Sequence, residues 1–296
     1  EDKEKLGLIG ETGSGKSILG MSIIRLFHPS AKINIEGKIV YKGKDLLRLS
    51  EEEMREIRGK EIAYIFQDPT AALDPLYTVG YQVAEAMIVH NAVRSWKDGF
   101  RRAIEILKSV LMPDPEKRVK NYPHELSGGM RQRVVIGISI SNSPRILIAD
   151  EPTTALDVTV QAQILKLLNQ LKERYGSTIL LITHNMGVVA EVADRVAVMY
   201  AGKVVEVGDV FQIFKNPQHP YTQGLLKAVP NPMRRIEELE SIPGTVPNLV
   251  NPPPGCRFHT RCPFAMDRCR EEEPPMVEVE PGHTVACWLH AKGEGG

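Results

Sequence analysis

Gly10-Glu11-Thr12-Gly13-Ser14-Gly15-Lys16-Ser17 is the stretch on which the fold turns. It fits G-x-x-x-x-G-K-[ST] in full, the pattern of a loop whose backbone N–H groups curl around phosphate oxygens. Its surroundings agree. Residues 6–9 form a short apolar run that reads as a buried strand. From about residue 15 to 27 the chain reads as a helix stopped by Pro29. A strand, a glycine-rich turn and a helix in that order aim the positive end of the helix at an anion. Lys16 is then expected to reach the β- and γ-phosphates of a nucleotide, and the Ser17 hydroxyl to be a Mg²⁺ ligand.

Two carboxylates extend this reading. Ile146-Leu147-Ile148-Ala149 is an apolar strand that ends in Asp150-Glu151. A P-loop NTPase holds Mg²⁺ with such a strand-end carboxylate, here Asp150. Glu151 lies where the chain leaves the strand, and there it can accept a proton from an attacking water as general base. A solvated acidic turn is the plainer reading of the pair taken alone. Further strands are expected at 37–41, 62–66, Thr178–Thr183 and Arg195–Tyr200, with a hairpin turn at Ala201-Gly202-Lys203 leading into 204–207. A Ser50/Glu53 capping box opens a short charged helix. Residues 68–143 read as mostly helical, with breaks at prolines, and Val158–Tyr175 as one long helix. Strands alternating with helices imply a largely parallel α/β sheet.

Composition narrows the partners. Lys+Arg and Asp+Glu both number 37, so no net field points to nucleic acid or an anionic lipid surface. No apolar run approaches the ~18 residues of a membrane span, and no signal peptide is visible, so a membrane role requires docking on other subunits. All four cysteines fall between Cys256 and Cys287. That clustering points to a local structure, and cytosolic thiols favour a metal over disulfides. After Phe214 the chain is rich in proline and reads as a linker-like tail.

Leu126-Ser127-Gly128-Gly129-Met130-Arg131-Gln132-Arg133 opens a helix with Ser-Gly-Gly, by itself either an anion site or a plain N-cap. The octet resembles the signature motif of ABC ATPases, and its place after the P-loop and before Asp150-Glu151 matches that family. Gln67 in Phe66-Gln67-Asp68 resembles the Q-loop glutamine, Ala155-Leu156-Asp157 the D-loop, and His184 in Ile182-Thr183-His184 the switch histidine that senses the γ-phosphate. The resemblance covers the whole chain. It implies that ATP is held between two subunits, with Ser127, Gly128 and Gly129 contacting nucleotide on the partner's P-loop. Gly10, Glu11, Thr12, Gly13, Ser14, Gly15, Lys16, Ser17 and Asp150 are the implied ATP-binding residues of the chain itself. Glu151, His184 and Gln67 are the implied catalytic set, and Ser17, Gln67 and Asp150 the implied Mg²⁺ set. The fold class implied is α/β, a P-loop NTPase (ABC ATPase) core over 1–67 and 144–214. An inserted helical subdomain over 68–143, hinged at Gln67, and a C-terminal cysteine-rich extension over 215–296 complete it. ABC domains usually carry an adenine-stacking aromatic well upstream of the P-loop. Only nine residues precede Gly10, and that segment is expected to have been truncated or omitted.

Asn216-Pro217-Gln218-His219-Pro220-Tyr221-Thr222 is physically a proline-rich turn whose aromatic ring should pack against something. As a pattern it resembles the dipeptide/oligopeptide/nickel importer ATPases. The tail spacing Cys256-x₅-Cys262-x₆-Cys269-x₁₇-Cys287 resembles peptide-importer members, some of which hold an iron–sulfur cluster. By chemistry alone, four thiolates suit either zinc or a [4Fe–4S] cluster, with disulfides or free thiols also open. The lack of paired C-x₂₋₄-C knuckles favours the cluster over zinc. The resemblance therefore implies an ATPase that energises import of di- or oligopeptides. A nickel importer is the alternative, and a non-transport ABC ATPase a more distant one. The implied partners are a second, related ABC subunit, two membrane permeases and, indirectly, an extracytoplasmic peptide-binding protein, with no nucleic acid. The implied location is the cytoplasmic face of the cell membrane.

Overall fold

A computed structural model of the chain describes residues 3–28, 30–154, 156–228 and 242–291. The strands among them are β1 (Lys5–Ile9), β2 (Val40–Tyr41), β3 (Lys44–Asp45), β4 (Ile62–Ile65) and β5 (Ile146–Asp150). They continue with β6 (Thr178–Thr183), β7 (Arg195–Tyr200), β8 (Lys203–Asp209), β9 (Met276–Glu280) and β10 (His283–Ala286). The chain divides into two compact units, one of Glu1–Glu4 and Gly20–Leu180, the other of Lys5–Leu19 and Leu181–Gly296.

In the first unit β4 and β5 run parallel, in register from Ile62↔Ile146 to Ile65↔Ala149. Every residue of β4 is buried, as its unbroken apolar run requires of a strand covered on both faces. The stretch 68–143 is helical as expected, its main members being Val79–Val89, Trp96–Ser109 and Gly128–Ile140. Their inward faces bury Val83, Met87, Leu107, Val134 and Ile136 completely. The long helix has the expected bounds, Val158–Tyr175. It starts on Asp157, whose carboxylate accepts the Val160 N–H, and stops at left-handed Gly176. Its buried face is Ile164, Leu167, Leu168 and Leu171, the i, i+3, i+4, i+7 stripe of an amphipathic helix. The capping box of Ser50 and Glu53 is present.

Two expectations contract. The helix expected from about 15 to 27 covers only Lys16–Ile23, because Arg25 turns into the left-handed region at φ 50°; Pro29 lies outside the described residues. The strand expected at 37–41 keeps two residues, Val40 and Tyr41, which pair with β3.

In the second unit β1 lies parallel to β7, from Leu6↔Arg195 to Ile9↔Val198. The β7–β8 hairpin turns at Ala201 and Gly202, with φ 46° and 81°, the sign of a primed two-residue turn. β8 then pairs antiparallel with β10, and β10 with β9. The tail read as linker-like in sequence thus adds two strands to this sheet. It also enters the core: Tyr221 and Phe258 are buried with Ile9, Val198, Tyr200 and Ile213. Tyr200 meets Tyr221 at 4.5 Å and Phe258 at 5.1 Å between ring centroids, both edge-on. Burying each such side chain is worth about 2–3 kcal/mol. Among the described residues no helix is long and apolar enough to cross a membrane.

Candidate nucleotide site

The P-loop and His184 fall in the second unit. β1 delivers the chain to Gly10, where a Cβ would stand 2.1 Å from the Met199 carbonyl oxygen, so only glycine lets the loop run this close to β7. Gly13 and Gly15 sit at φ 84° and 98°, a region side chains avoid. The loop is tied internally by the Ser14 N–H donating to the Glu11 carbonyl at 3.1 Å, and externally by the Gly202 N–H donating to the Ser14 carbonyl at 2.8 Å. The Lys16 side chain is buried. Its ammonium folds back on the loop, donating to the carbonyls of Gly10 and Glu11 at 2.8 and 2.9 Å and to Ser14 Oγ at 3.4 Å. These oxygens hold the cation against the loop. His184 follows β6 and is exposed. Next to it Asn185 caps the Met186–Val192 helix, its side chain accepting from the Gly187 and Val188 N–H groups.

The first unit holds Gln67, Asp150, Glu151 and Ser127–Gly129. Asp150 ends β5 and is buried, with its Oδ2 accepting the Tyr64 hydroxyl at 2.7 Å. Burial first, then that carboxylate, pushes the Tyr64 pKa far up, so the phenol stays a donor. Glu151 leaves the strand with φ 44°. For a residue with a side chain this costs of order 1–3 kcal/mol, and it re-aims the carboxylate out of the sheet. There Glu151 Oε2 accepts both the Gln67 amide at 3.1 Å and the Thr154 hydroxyl at 2.7 Å. Gln67 and Glu151, far apart in sequence, are brought together.

Ser127 caps the Gly128–Ile140 helix, its hydroxyl accepting the Met130 N–H. Ser127 and Gly128 are exposed. Gly129 is packed so closely on the next long helix that a Cβ would lie 2.8 Å from Val160 Cγ1, while a Cβ on Gly128 would face Leu156 at 3.8 Å. Leu156 of the expected D-loop thus sits against the signature segment; Ala155 lies outside the described residues. Arg131 connects further, donating from Nη1 to Thr70 Oγ1 at 3.0 Å and from Nε to the Leu126 carbonyl at 3.1 Å.

A model of the ABC transporter family matches residues 1–154, and one described as the oligopeptide/dipeptide transporter C-terminal region matches residues 205–269. The chain is 51% identical over 286 residues to a probable peptide ABC transporter ATP-binding protein, y4tR, of Sinorhizobium fredii, covering 96% of this chain and 85% of the relative. It is likewise 51% identical to the oligopeptide transport ATP-binding protein OppD of Bacillus subtilis, with 97% of this chain and 80% of the relative covered. The chain belongs to the ABC transporter ATP-binding proteins of the oligopeptide/dipeptide family. Its fold agrees with that of solved cassettes. The dimeric post-hydrolysis structure of the ATP-binding cassette MJ0796 with ADP and phosphate matches with a TM-score of 0.62 and 29% identity. That match covers 71% of this chain and 87% of the cassette.

One expectation for this ABC protein finds no support among the described residues. Cys256, Cys262, Cys269 and Cys287 are free thiols. Among the described residues no three His, Cys, Asp or Glu side chains are placed to hold one metal ion. Burial pushes the Cys256 and Cys262 thiols up and Cys287 to about 11. The tail does not need a cluster in place of a core, because Tyr221 and Phe258 give it a share in one, against which Cys256 and Cys262 pack.

Sequence reasoning passed over Tyr64, Thr154 and the tail residues that reach the P-loop. Tyr64 offered a faint signal, a hydroxyl tip inside an otherwise apolar buried strand, which needs a polar partner nearby.

Proposed function

We propose that this chain is the ATP-hydrolysing subunit that drives import of di- or oligopeptides through partner permeases. The paired match carries the reading: an ABC core, followed by the C-terminal region particular to oligopeptide/dipeptide transporters. Lys16 and the P-loop amides bind the β- and γ-phosphates. Ser17, Asp150 and Gln67 supply the hydroxyl, carboxylate and amide oxygens that Mg²⁺ takes, and the ion neutralises phosphate charge when bound. Glu151 accepts the proton of the attacking water. Its left-handed backbone and the hydrogen bonds from Gln67 and Thr154 fix where that carboxylate points. His184 senses the γ-phosphate. Ser127, Gly128 and Gly129 serve the nucleotide of a partner ABC subunit, in keeping with the exposure of Ser127 and Gly128 and with the dimeric form of the related cassette.

Gln67 also gives the cycle a mechanical output. It donates to Glu151, and three residues on, Thr70 is tied through Arg131 to Leu126, the residue before the signature serine. A change at Glu151 thereby has a route to the signature segment through Gln67, the backbone to Thr70, and Arg131. The boundaries 1–67 with 144–214, 68–143 and 215–296 are the proposed core, helical subdomain and extension. The chain works on the cytoplasmic face of the membrane, docked on its permeases. Peptide uptake into membranes carrying the assembled complex tests this: uptake should need ATP and stop with Glu151→Gln. Uptake of nickel and not of peptides would select the related alternative.

The four tail thiols carry a second reading, a [4Fe–4S] cluster or zinc. What supports it is the spacing Cys256-x₅-Cys262-x₆-Cys269-x₁₇-Cys287, with the Cys256 N–H donating to the Cys269 carbonyl at 2.9 Å. Ligation would require them to draw together and lose their protons. Iron and zinc assays on protein purified without air decide it: about four irons per chain and absorption near ~400 nm mean a cluster. One zinc means the simpler site, and four reactive thiols with neither metal mean none.

A further inference from the structure

The P-loop is gripped from outside by the tail. Glu11, the second residue of the loop, is held at two points. Its N–H donates to the Tyr221 hydroxyl at 2.8 Å, and its carboxylate accepts a fork from Arg261, at 2.8 Å from Nη1 and 3.1 Å from Nη2. Neither partner is a mobile surface group. Tyr221 is fully buried, and the Arg261 side chain is 4% exposed. Arg261 is itself fixed by donating from Nε to the Pro243 carbonyl and from Nη2 to the Ile242 carbonyl. A planar fork locked on both sides fixes direction as well as distance. A second grip lies at the far side of the loop. Arg257 donates to the Ala201 carbonyl, and the next residue, Gly202, donates its N–H to the Ser14 carbonyl.

A P-loop binds phosphate through the shape of its backbone, which must present its N–H groups inward before the anion arrives. Lys16 takes its position in part from the same backbone, since the carbonyls of Gly10 and Glu11 are among its acceptors. Whatever fixes Glu11 therefore fixes one acceptor of the phosphate-binding lysine. We propose that Tyr221 and Arg261 are positioning residues for nucleotide binding, a clamp by which the C-terminal extension sets the P-loop in its phosphate-ready form. Neither residue touches nucleotide; both act through Glu11. The proposal rests on the nucleotide reading of the loop. It gives the His-Pro-Tyr segment and the 256–262 loop a role in the ATP site, although both lie more than 200 residues after the P-loop.

The test is the affinity of the full chain for a fluorescent ATP analogue, with hydrolysis measured alongside at saturating ATP. Tyr221→Phe, Arg261→Gln and Glu11→Gln should each weaken binding ~10-fold, the worth of one charge-assisted or buried hydrogen bond. Turnover at saturation should stay within about twofold in Tyr221→Phe and Arg261→Gln, because the chemistry is not touched. The double variant Glu11→Gln/Arg261→Gln should bind no more weakly than either single one, since the two share one contact. Tyr221→Phe keeps the ring in the core and decides the matter should Arg261→Gln fail to fold. Native affinity in folded Tyr221→Phe and Arg261→Gln, with Lys16→Ala losing nucleotide, would overturn the clamp alone. Native binding by Lys16→Ala would bring down the phosphate reading and the clamp with it.

Discussion

Glu151 combines a strained backbone with two donors on one carboxylate oxygen, the mark of a side chain whose direction matters more than its comfort. Glu151→Gln keeps the shape and removes the proposed base, so turnover should fall about 10²- to 10⁴-fold with ATP binding retained. Single-turnover hydrolysis measures the loss. A second residue sets an acid limit. His219 is buried, and that burial first, then His290, holds its imidazole down at about 3. The unfolded chain takes up that proton near the ordinary value of about 6.5. Between the two values the unfolded state binds more protons, so stability is complete above about pH 6.5 and declines as pH falls toward 3, by up to ~1.4 kcal/mol per pH unit. Thermal melts from pH 7 to pH 5 should show this decline. His219→Asn, which can still accept the Tyr221 N–H, should flatten it. At this scale the sequence was legible where chemistry is written contiguously, as in Gly10–Ser17. It was not legible where partners meet across long stretches of chain: Tyr64 and Asp150 are 86 residues apart, and Glu11 and Arg261 are 250 apart.

Elements with one strong local code were read well. The Val158–Tyr175 helix has an aspartate cap, a glycine stop and a full apolar stripe, and β6 and β7 have the expected bounds. The tail misled because its prolines are visible at once, whereas its strands are short. β10 alternates buried His283 and Val285 with half-buried Thr284 and Ala286, a two-residue period too brief to stand out beside Pro274, Pro275 and Pro281. Phe258 is one of the two rings that anchor the tail. Phe258→Ala should cost about 3–5 kcal/mol, as removal of a fully buried aromatic does, read as a lowered midpoint in denaturant. The tail strands should lose amide protection first. On the helical side, Arg131→Ala cuts the tie between Thr70 and Leu126. Nucleotide affinity should then hold while hydrolysis in the assembled complex drops several-fold, the size of effect a coupling residue gives.

For the molecule as a whole, one chain carries both a P-loop and an exposed signature serine, which the proposed mechanism assigns to two different nucleotides. Hydrolysis by the isolated chain should therefore be weak and rise with protein concentration or with an added partner ABC subunit. A chain that turns over ATP at a rate independent of both would act alone. Among the described residues no helix is long and apolar enough to cross a membrane, and docking on permeases is the route proposed above. The most direct measurement of coupled function is ATP hydrolysis by the complete transporter in liposomes, with and without transported peptide and its binding protein. Peptide should stimulate hydrolysis, and Glu151→Gln should abolish both the basal and the stimulated rates. A rate indifferent to peptide, or one that survives Glu151→Gln, would contradict an ATPase that drives peptide import.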